Sequence, residues 1–304
     1  MPTLFQPEIR DGDSWGAVYQ SIGDWRPLIR YIFDKEGLEC GPIGPCTPDT
    51  NAVFQAGNRI IKIFAPGESG MDSASDFQTE RFGLRRANDL GIAAPRLYAA
   101  GQVDDRYRFR YLIMERVDGK ALGSVGHTFS DAQKTRIGRQ LRRITEKLNT
   151  GCEAFNEVKV VERALGCKRW QDFPDSFTGE RLRFLRDYPL NQKDLVYVHG
   201  DLNPDNLLVG ERLTVIDFAD AVLAPACYEE AVVACELFGC EGSYMRGYFG
   251  DYDGAALAQR CLEGLLLHNF GANILRDNLG NVSELTGLDV LRERLSGWIQ
   301  AEKE

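Results

Sequence analysis

Residues 199–218 decide how this sequence is interpreted, and they read His199-Gly200-Asp201-Leu202-Asn203-Pro204-Asp205-Asn206-Leu207-Leu208-Val209-Gly210-Glu211-Arg212-Leu213-Thr214-Val215-Ile216-Asp217-Phe218. Two apolar runs, 207–209 and 213–216, flank a short polar segment, which predicts an antiparallel hairpin that turns at 210–212. Cross-strand pairing in such a hairpin places Asn206 beside Asp217 at the open end. Two side-chain oxygens are therefore expected to converge there.

The side chains of Asn206, Asp217 and Asp201 are of the types that an enzyme needs to transfer a phosphoryl group. A carbonyl oxygen and a carboxylate held side by side suit Mg²⁺, which takes few protein ligands and leaves its other positions to water and phosphate oxygens. Asp201 stands five residues before Asn206, in a loop that returns toward the same end, and is the candidate base for an incoming hydroxyl. A lone Asp or Asn beside a strand is more often a cap or turn residue. The prediction of Mg²⁺ ligands and a base for phosphoryl transfer therefore depends on these residues occurring together, and not on any one of them.

The string also resembles a known family. Its spacing matches the protein-kinase catalytic loop and metal-binding turn at His199, Asp201, Asn206 and Asp217-Phe218. The H-G-D form, with Gly200 in place of the kinase Arg, resembles aminoglycoside phosphotransferases and choline kinases, and the resemblance covers residues 47–238. It implies a two-lobed α+β protein-kinase-like fold, Mg²⁺, and ATP or GTP as phosphate donor. We interpret His199 as a hydrogen-bonding brace of the loop.

The first part of the chain supplies a second candidate group. Lys62 interrupts the apolar run 60–64. The resemblance implies that this strand lysine binds the α and β phosphates of the nucleotide and forms an ion pair with a Glu on a helix. Glu80 falls where that partner is expected, on a helical stripe with Phe77, Leu84 and Ala87 that should face the sheet. Pairing removes the cost of burying either charge alone. The alternative is a strand-edge lysine with its head in water, or a surface ion pair.

Two further nucleotide contacts follow from the resemblance alone. Residues 111–119 resemble the hinge between lobes, where backbone groups read the adenine ring, which implicates Glu115 and Val117. An edge strand that leads to a turn at 118–119 predicts the same residues. Residues 48–51 stand where a phosphate-covering loop is expected, although they lack its glycines. An acid at 229, where most relatives carry Asp, is interpreted as support for a helix dipole.

The pattern of elements predicts an N-terminal lobe over residues 1–116 and a helical C-terminal lobe over 117–304. The first lobe is expected to hold a helix at 25–36, an irregular loop at 41–48, a hairpin of 51–56 and 59–64, a helix at 76–90 and strands at 95–100 and 108–114. The second lobe is expected to hold the β signal of 195–217 and helices at 131–148, 178–186, 225–238, 255–276 and 288–301.

Composition limits the partners. Net charge is −9, and residues 218–304 hold 14 Asp or Glu against 6 Lys or Arg, a balance that disfavours nucleic acid and anionic membranes and would attract cationic ligands. A solvated acidic surface is the alternative. The 8 cysteines include no C-x-x-C pair, and the sequence shows no secretory segment and no long apolar stretch. We expect reduced thiols in a cytoplasmic protein without a metal–thiolate site.

The function expected from these features is phosphorylation of a hydroxyl on a small acceptor, such as an aminoglycoside or another cationic compound. Only seven residues separate Phe218 from Ala226, near which the next helix is expected to begin, whereas protein kinases use a far longer segment to bind peptides. A protein kinase, and a nucleotide-binding regulator that has lost catalysis, remain alternatives.

Overall fold

The computed structural model describes residues 3–47, 50–71 and 73–301. The chain divides into two compact units, Met1–Asp118 and Gly119–Glu304, so the division lies two residues beyond the expected lobe boundary. Half of the expected phosphate-covering loop, Pro48 and Asp49, lies outside the described residues.

The first unit is a five-stranded antiparallel sheet with helices. Its elements are α1 (Gly12–Val18), α2 (Ile22–Lys35), β1 (Ile43–Pro45), β2 (Ala52–Ala56), β3 (Arg59–Ile63), α3 (Ser73–Asp89), β4 (Leu97–Asp104) and β5 (Arg108–Glu115). The strand order is β1-β2-β3-β5-β4. The predicted hairpin is confirmed, with Ala56 opposite Arg59 and a left-handed Gly57 in its turn. An aromatic core that includes Phe5, Trp25 and Phe109 packs on this sheet.

The loop predicted for residues 41–48 is wrong in part. Residues Ile43–Pro45 form β1, an edge strand that pairs with β2. Pro45 is tolerated there because an edge strand has one side without ladder partners. Gly41 permits the approach, since a Cβ on it would lie 2.6 Å from the Cα of Gly57.

The second unit is mainly helical. It contains β6 (Lys120–Ala121), α4 (Leu122–Val125), α5 (Asp131–Leu148), α6 (Val160–Gly166), α7 (Asp175–Arg186), β7 (Leu195–Val198), β8 (Leu207–Val209), β9 (Leu213–Val215), β10 (Val222–Pro225), α8 (Cys227–Val232), α9 (Gly242–Phe249), α10 (Gly254–Leu267), α11 (Gly271–Leu279) and α12 (Leu288–Ala301). Strand β8 lies between β6 and β9, and β7 pairs with β10. Helix α8 is followed directly by a π-helix over Val233–Leu237.

One long predicted helix is two helices. The pattern of residues 255–276 predicts continuous helix, but α10 ends at Leu267 and α11 begins at Gly271. His268 is extended, with φ −70° and ψ 138°. A Cβ at position 271 would meet the carbonyl oxygen of Leu265 at 1.9 Å, so only glycine allows this reversal. Hydrophobic periodicity does not detect such a break, because apolar residues continue on both sides of it.

No helix among the described residues is long and apolar enough to cross a membrane.

Candidate active site

The hairpin of β8 and β9 positions the first two candidate residues. Leu207 pairs with Val215, and the backbone N–H of Ile216 donates to the carbonyl oxygen of Asn206 at 3.0 Å. Asn206 therefore lies opposite Ile216, and Asp217 follows one position beyond, so the predicted register is off by one residue. Asp217 adopts the left-handed backbone conformation, with φ 61°. This conformation is uncommon for residues other than glycine and often marks a functional turn.

The loop of Asp201 folds back on Asn206. The Nδ2 atoms of Asn206 and Asn203 donate to Oδ2 of Asp201 at 2.9 Å and 3.1 Å. Within the part of the chain that the structure describes, Oδ1 of Asp201 accepts no hydrogen bond. One carboxylate oxygen is thus fixed, and the other is left as a proton acceptor.

The electrostatics of Asp201 suit a base that works near neutral pH. Burial raises the pKa of Asp201 to about 7, and the negative charges of Asp220, Glu236 and Asp217 contribute further to the rise. The hydrogen bond from Asn203 acts in the opposite direction. A general base is most effective when its pKa lies close to the working pH.

Asn206 and Asp217 carry side-chain oxygens of the kind that Mg²⁺ prefers. The Nδ2 of Asn206 donates to both the carbonyl oxygen and the Oδ2 of Asp201, each at 2.9 Å. Because both partners are acceptors, the amide has one orientation, and its Oδ1 remains available as a ligand. Among the described residues no cluster of three or more His, Cys, Asp or Glu could hold a metal. A site with one amide oxygen and one carboxylate fits an ion that takes few protein ligands.

His199 braces the loop, as predicted. It is completely buried, and burial lowers its pKa to about 4, so the ring is neutral. Its Nδ1 accepts the backbone N–H of Asp201 at 3.3 Å, and its Nε2 lies 3.0 Å from the carbonyl oxygen of Ile216. Since Nδ1 is an acceptor, Nε2 carries the proton and donates to Ile216. The ring thereby links the Asp201 loop to the turn of Asp217.

Sequence reasoning missed the function of Glu229. Its buried carboxylate accepts the backbone N–H groups of His199 and Gly200, each at 3.0 Å. Its role is therefore to hold the candidate catalytic loop, in addition to lying near the start of α8. The sequence shows only that an acid occupies a helix start, and the partner backbone lies about thirty residues away.

The ion pair predicted for the first unit is present. Nζ of Lys62 on β3 lies 2.9 Å from Oε2 of Glu80 on α3, with side-chain exposures of 5% and 2%. The stripe of Phe77, Leu84 and Ala87 is buried with Glu80, as its helical spacing predicts. The alternative of a solvated strand-edge lysine is therefore wrong.

The hinge candidates lie at the end of the first unit. Glu115 ends β5, where its N–H donates to the carbonyl oxygen of Arg96 and its carboxylate accepts the N–H of Arg96. Its side chain is thus used to fix β4 against β5. Val117 is half-buried and lies one residue before the end of the unit.

The sequence profile of the phosphotransferase enzyme family matches residues 50–262, which is more than two thirds of the chain. The chain belongs to this family. The matched segment of this phosphotransferase contains Asp201, Asn206 and Asp217 of the second unit. It also contains the ion pair of the first unit. No curated protein sequence matches it significantly.

Solved structures of aminoglycoside phosphotransferases share the fold of this phosphotransferase. The GDP complex of aminoglycoside 2′-phosphotransferase-IIIa is 17% identical, covers 93% of this chain and 96% of its own, and superposes with a TM-score of 0.58. The streptomycin–ATP complex of APH(2″)-IIa is 14% identical, with coverages of 87% and 97% and a TM-score of 0.58. APH(4)-Ia with ADP and hygromycin B is 13% identical, with coverages of 90% and 98% and a TM-score of 0.56. The protein-kinase-like α+β fold is thereby confirmed.

Proposed function

We propose that this phosphotransferase moves the terminal phosphate of ATP or GTP onto a hydroxyl group of a small acceptor, in the cytoplasm. The arrangement of Asp201 carries the proposal. Its Oδ2 is fixed by two side-chain amides, its Oδ1 is left to meet the acceptor hydroxyl, and its raised pKa matches proton uptake near pH 7. Asp201 orients the hydroxyl and accepts its proton as the oxygen–phosphorus bond forms.

The remaining site residues act on the nucleotide. Asn206 and Asp217 hold Mg²⁺, which neutralises the charge of the phosphates when bound. Lys62 holds nucleotide phosphates and is kept in place by Glu80. Glu115 and Val117 are the proposed hinge residues for the base of the nucleotide. Phosphoryl transfer needs chiefly positioning and charge stabilisation, and rigid, buried supports supply both.

The charge around Asp201 favours a cationic acceptor such as an aminoglycoside. Asp220 and Glu236 lie close enough to raise the pKa of Asp201, and Asp277 does the same for Glu236. Within the described residues, Oε2 of Glu236 is buried without a hydrogen-bond partner. An amine-bearing acceptor would supply the donor that Oε2 of Glu236 lacks, together with positive charge beside these carboxylates. The structures of related enzymes with streptomycin and hygromycin B are consistent with this class.

A nucleotide-consumption screen tests the proposal. Purified protein with Mg²⁺ and either ATP or GTP is offered aminoglycosides, choline-like amines, sugars, nucleosides and macrolides, and mass spectrometry identifies any phosphorylated product. We expect turnover with a cationic acceptor and a product that carries one added phosphate. Nucleotide binding without turnover for every acceptor would contradict catalysis, and label transfer to added protein would indicate a protein kinase.

A further inference from the structure

The candidate catalytic loop is held by a second histidine that lies far from it in sequence. His268 follows α10, is completely buried, and places its Nε2 3.0 Å from the carbonyl oxygen of Gly200. Its Nδ1 accepts the backbone N–H of Phe270 at 3.0 Å. Because Nδ1 is an acceptor, the proton must be on Nε2, which donates to Gly200.

The bond acts on the peptide unit that carries Asp201. The carbonyl oxygen of Gly200 and the N–H of Asp201 belong to the same planar peptide group. His268 holds the oxygen of this group, and Nδ1 of His199 accepts its N–H at 3.3 Å. Two buried imidazoles therefore fix one rigid plane, and the next atom along the chain is the Cα of Asp201.

The ring of His268 is itself held in one position. The ring of Tyr228 lies against it, with centroids 4.2 Å apart. The hydroxyl of Tyr228 accepts from Arg163 at 2.6 Å and from the backbone N–H of Asn269, the residue after His268, at 3.1 Å. Burial together with the nearby positive charges of Arg163 and Arg169 lowers the pKa of His268 to about 3. The ring is neutral, and its donor cannot turn away from Gly200 without breaking these contacts.

Close helix packing allows α8 and α10 to reach the same loop. A Cβ at Gly264 on α10 would meet the carbonyl oxygen of Cys227 on α8 at 2.0 Å. Glycine at this position therefore lets the two helices approach. As a result, Glu229 from α8 holds the N–H of Gly200 while His268 holds its C=O.

We propose that His268 is a positioning residue of the phosphotransferase reaction, which sets the direction of the Asp201 carboxylate through the carbonyl group of Gly200. The inference rests on the proposed role of Asp201 as base. His268 is completely buried and contacts the backbone of Gly200, so its loss should reduce kcat and leave the KM values almost unchanged. Misplacement of a catalytic group by 1 Å can cost about a hundredfold in rate.

Three variants distinguish a role of His268 in positioning the loop from a general effect on protein stability. His268→Leu fills the site without a donor, and His268→Gln can present an amide N–H where Nε2 lies. Leu291→Ala removes a buried side chain from α12 in the same unit and controls for general destabilisation. Unfolding temperature, kcat, both KM values, and hydrogen exchange of a peptide that covers residues 199–206 are measured for each variant and the unmodified chain.

We expect His268→Leu to lower kcat by about 10- to 100-fold with KM values within twofold, and to lose exchange protection in residues 199–206. His268→Gln should recover most of kcat and of the protection, whereas Leu291→Ala should lower the unfolding temperature without either effect. A His268→Leu variant that keeps both kcat and protection would overturn the proposal, as would equal losses in His268→Gln and His268→Leu. If the unmodified chain turns over no acceptor, the proposed function fails, and the exchange measurement still decides whether His268 holds the loop.

Discussion

The carboxylate of Glu229 accepts the backbone N–H of Gly200 at 3.0 Å in a completely buried setting. Its other oxygen accepts the N–H of His199. In Glu229→Gln the amide NH₂ must face one of these two donors, which leaves a buried N–H without an acceptor. We expect a loss of about 1–3 kcal/mol in the free energy of unfolding, measured by urea denaturation, together with reduced turnover. Glu230→Gln, which removes only a partly exposed ion pair with Arg260, should change stability by less than about 1 kcal/mol; equal losses in the two variants would contradict the role of Glu229.

Gly200→Ala should be more damaging than an ordinary glycine substitution in the same conformation. Gly200 has φ 81°, and a Cβ on it would lie 2.2 Å from the carbonyl oxygen of Asp220. Gly239 also has positive φ, at 52°, but among the described residues other than its chain neighbours no atom lies within 4 Å of a Cβ there. Gly239→Ala should therefore cost only the left-handed backbone penalty of about 1–2 kcal/mol. Gly200→Ala should exceed it clearly in thermal denaturation and should abolish turnover. Similar unfolding temperatures for the two variants would show that the contact with Asp220 does not constrain the loop.

Substitution of one residue of the buried ion pair between Lys62 and Glu80 should strongly reduce the free energy of unfolding. Glu80→Ala removes the carboxylate that lies 2.9 Å from the buried ammonium of Lys62, for which the expected loss is about 3–5 kcal/mol in the free energy of unfolding. Asp104→Ala breaks the pair with Arg108 in the same unit, where both side chains are 61% exposed, and should cost less than about 1 kcal/mol. Denaturant titration of both variants checks the difference, and a small effect of Glu80→Ala would indicate that Lys62 is solvated.

The contribution of Glu236 to stability should fall as pH rises from 5 to 8. Burial, helped by the charge of Asp277, raises the pKa of Glu236 to about 7 from an ordinary value of 4.5. A carboxyl with a raised folded-state pKa binds its proton more tightly when folded, so its contribution to stability is complete below about 4.5 and is lost as pH rises through about 7. Glu236→Gln cannot ionise and should flatten the dependence of unfolding free energy on pH. The exposed turn variant Glu211→Gln should leave the slope unchanged, and parallel curves for all three proteins would refute this assignment.

Local signals predicted several helices and the sequence segment that forms the candidate site. The helix over residues 131–148 has the predicted bounds, because its start carries a clear signal: the N–H of Ser130 donates to the side chain of Gln133. The constellation of Asp201, Asn206 and Asp217 was predictable because all three lie within 17 residues of one another along a loop and hairpin.

Features that depend on tertiary packing were not predictable. Helix α9 was missed because Gly242 and Gly247 lower its helix propensity. Gly247 is required by packing, since a Cβ there would meet the carbonyl oxygen of Thr135 on α5 at 2.3 Å. Glu229 and His268 form hydrogen bonds with Gly200, from which they are separated by 29 and 68 residues in the sequence. No local pattern marks such partners.

The rate of phosphate transfer by Asp201→Asn tests the central claim most directly. Asn at this position keeps an oxygen for the amides of Asn203 and Asn206 but cannot accept the proton of an acceptor hydroxyl. With an acceptor identified in the screen and both substrates saturating, we expect kcat to fall by about 10²- to 10⁴-fold, while nucleotide affinity, measured by calorimetry, stays within twofold. Full kcat in a correctly folded Asp201→Asn protein would contradict the assignment of Asp201 as the base and, with it, the proposed reaction centre.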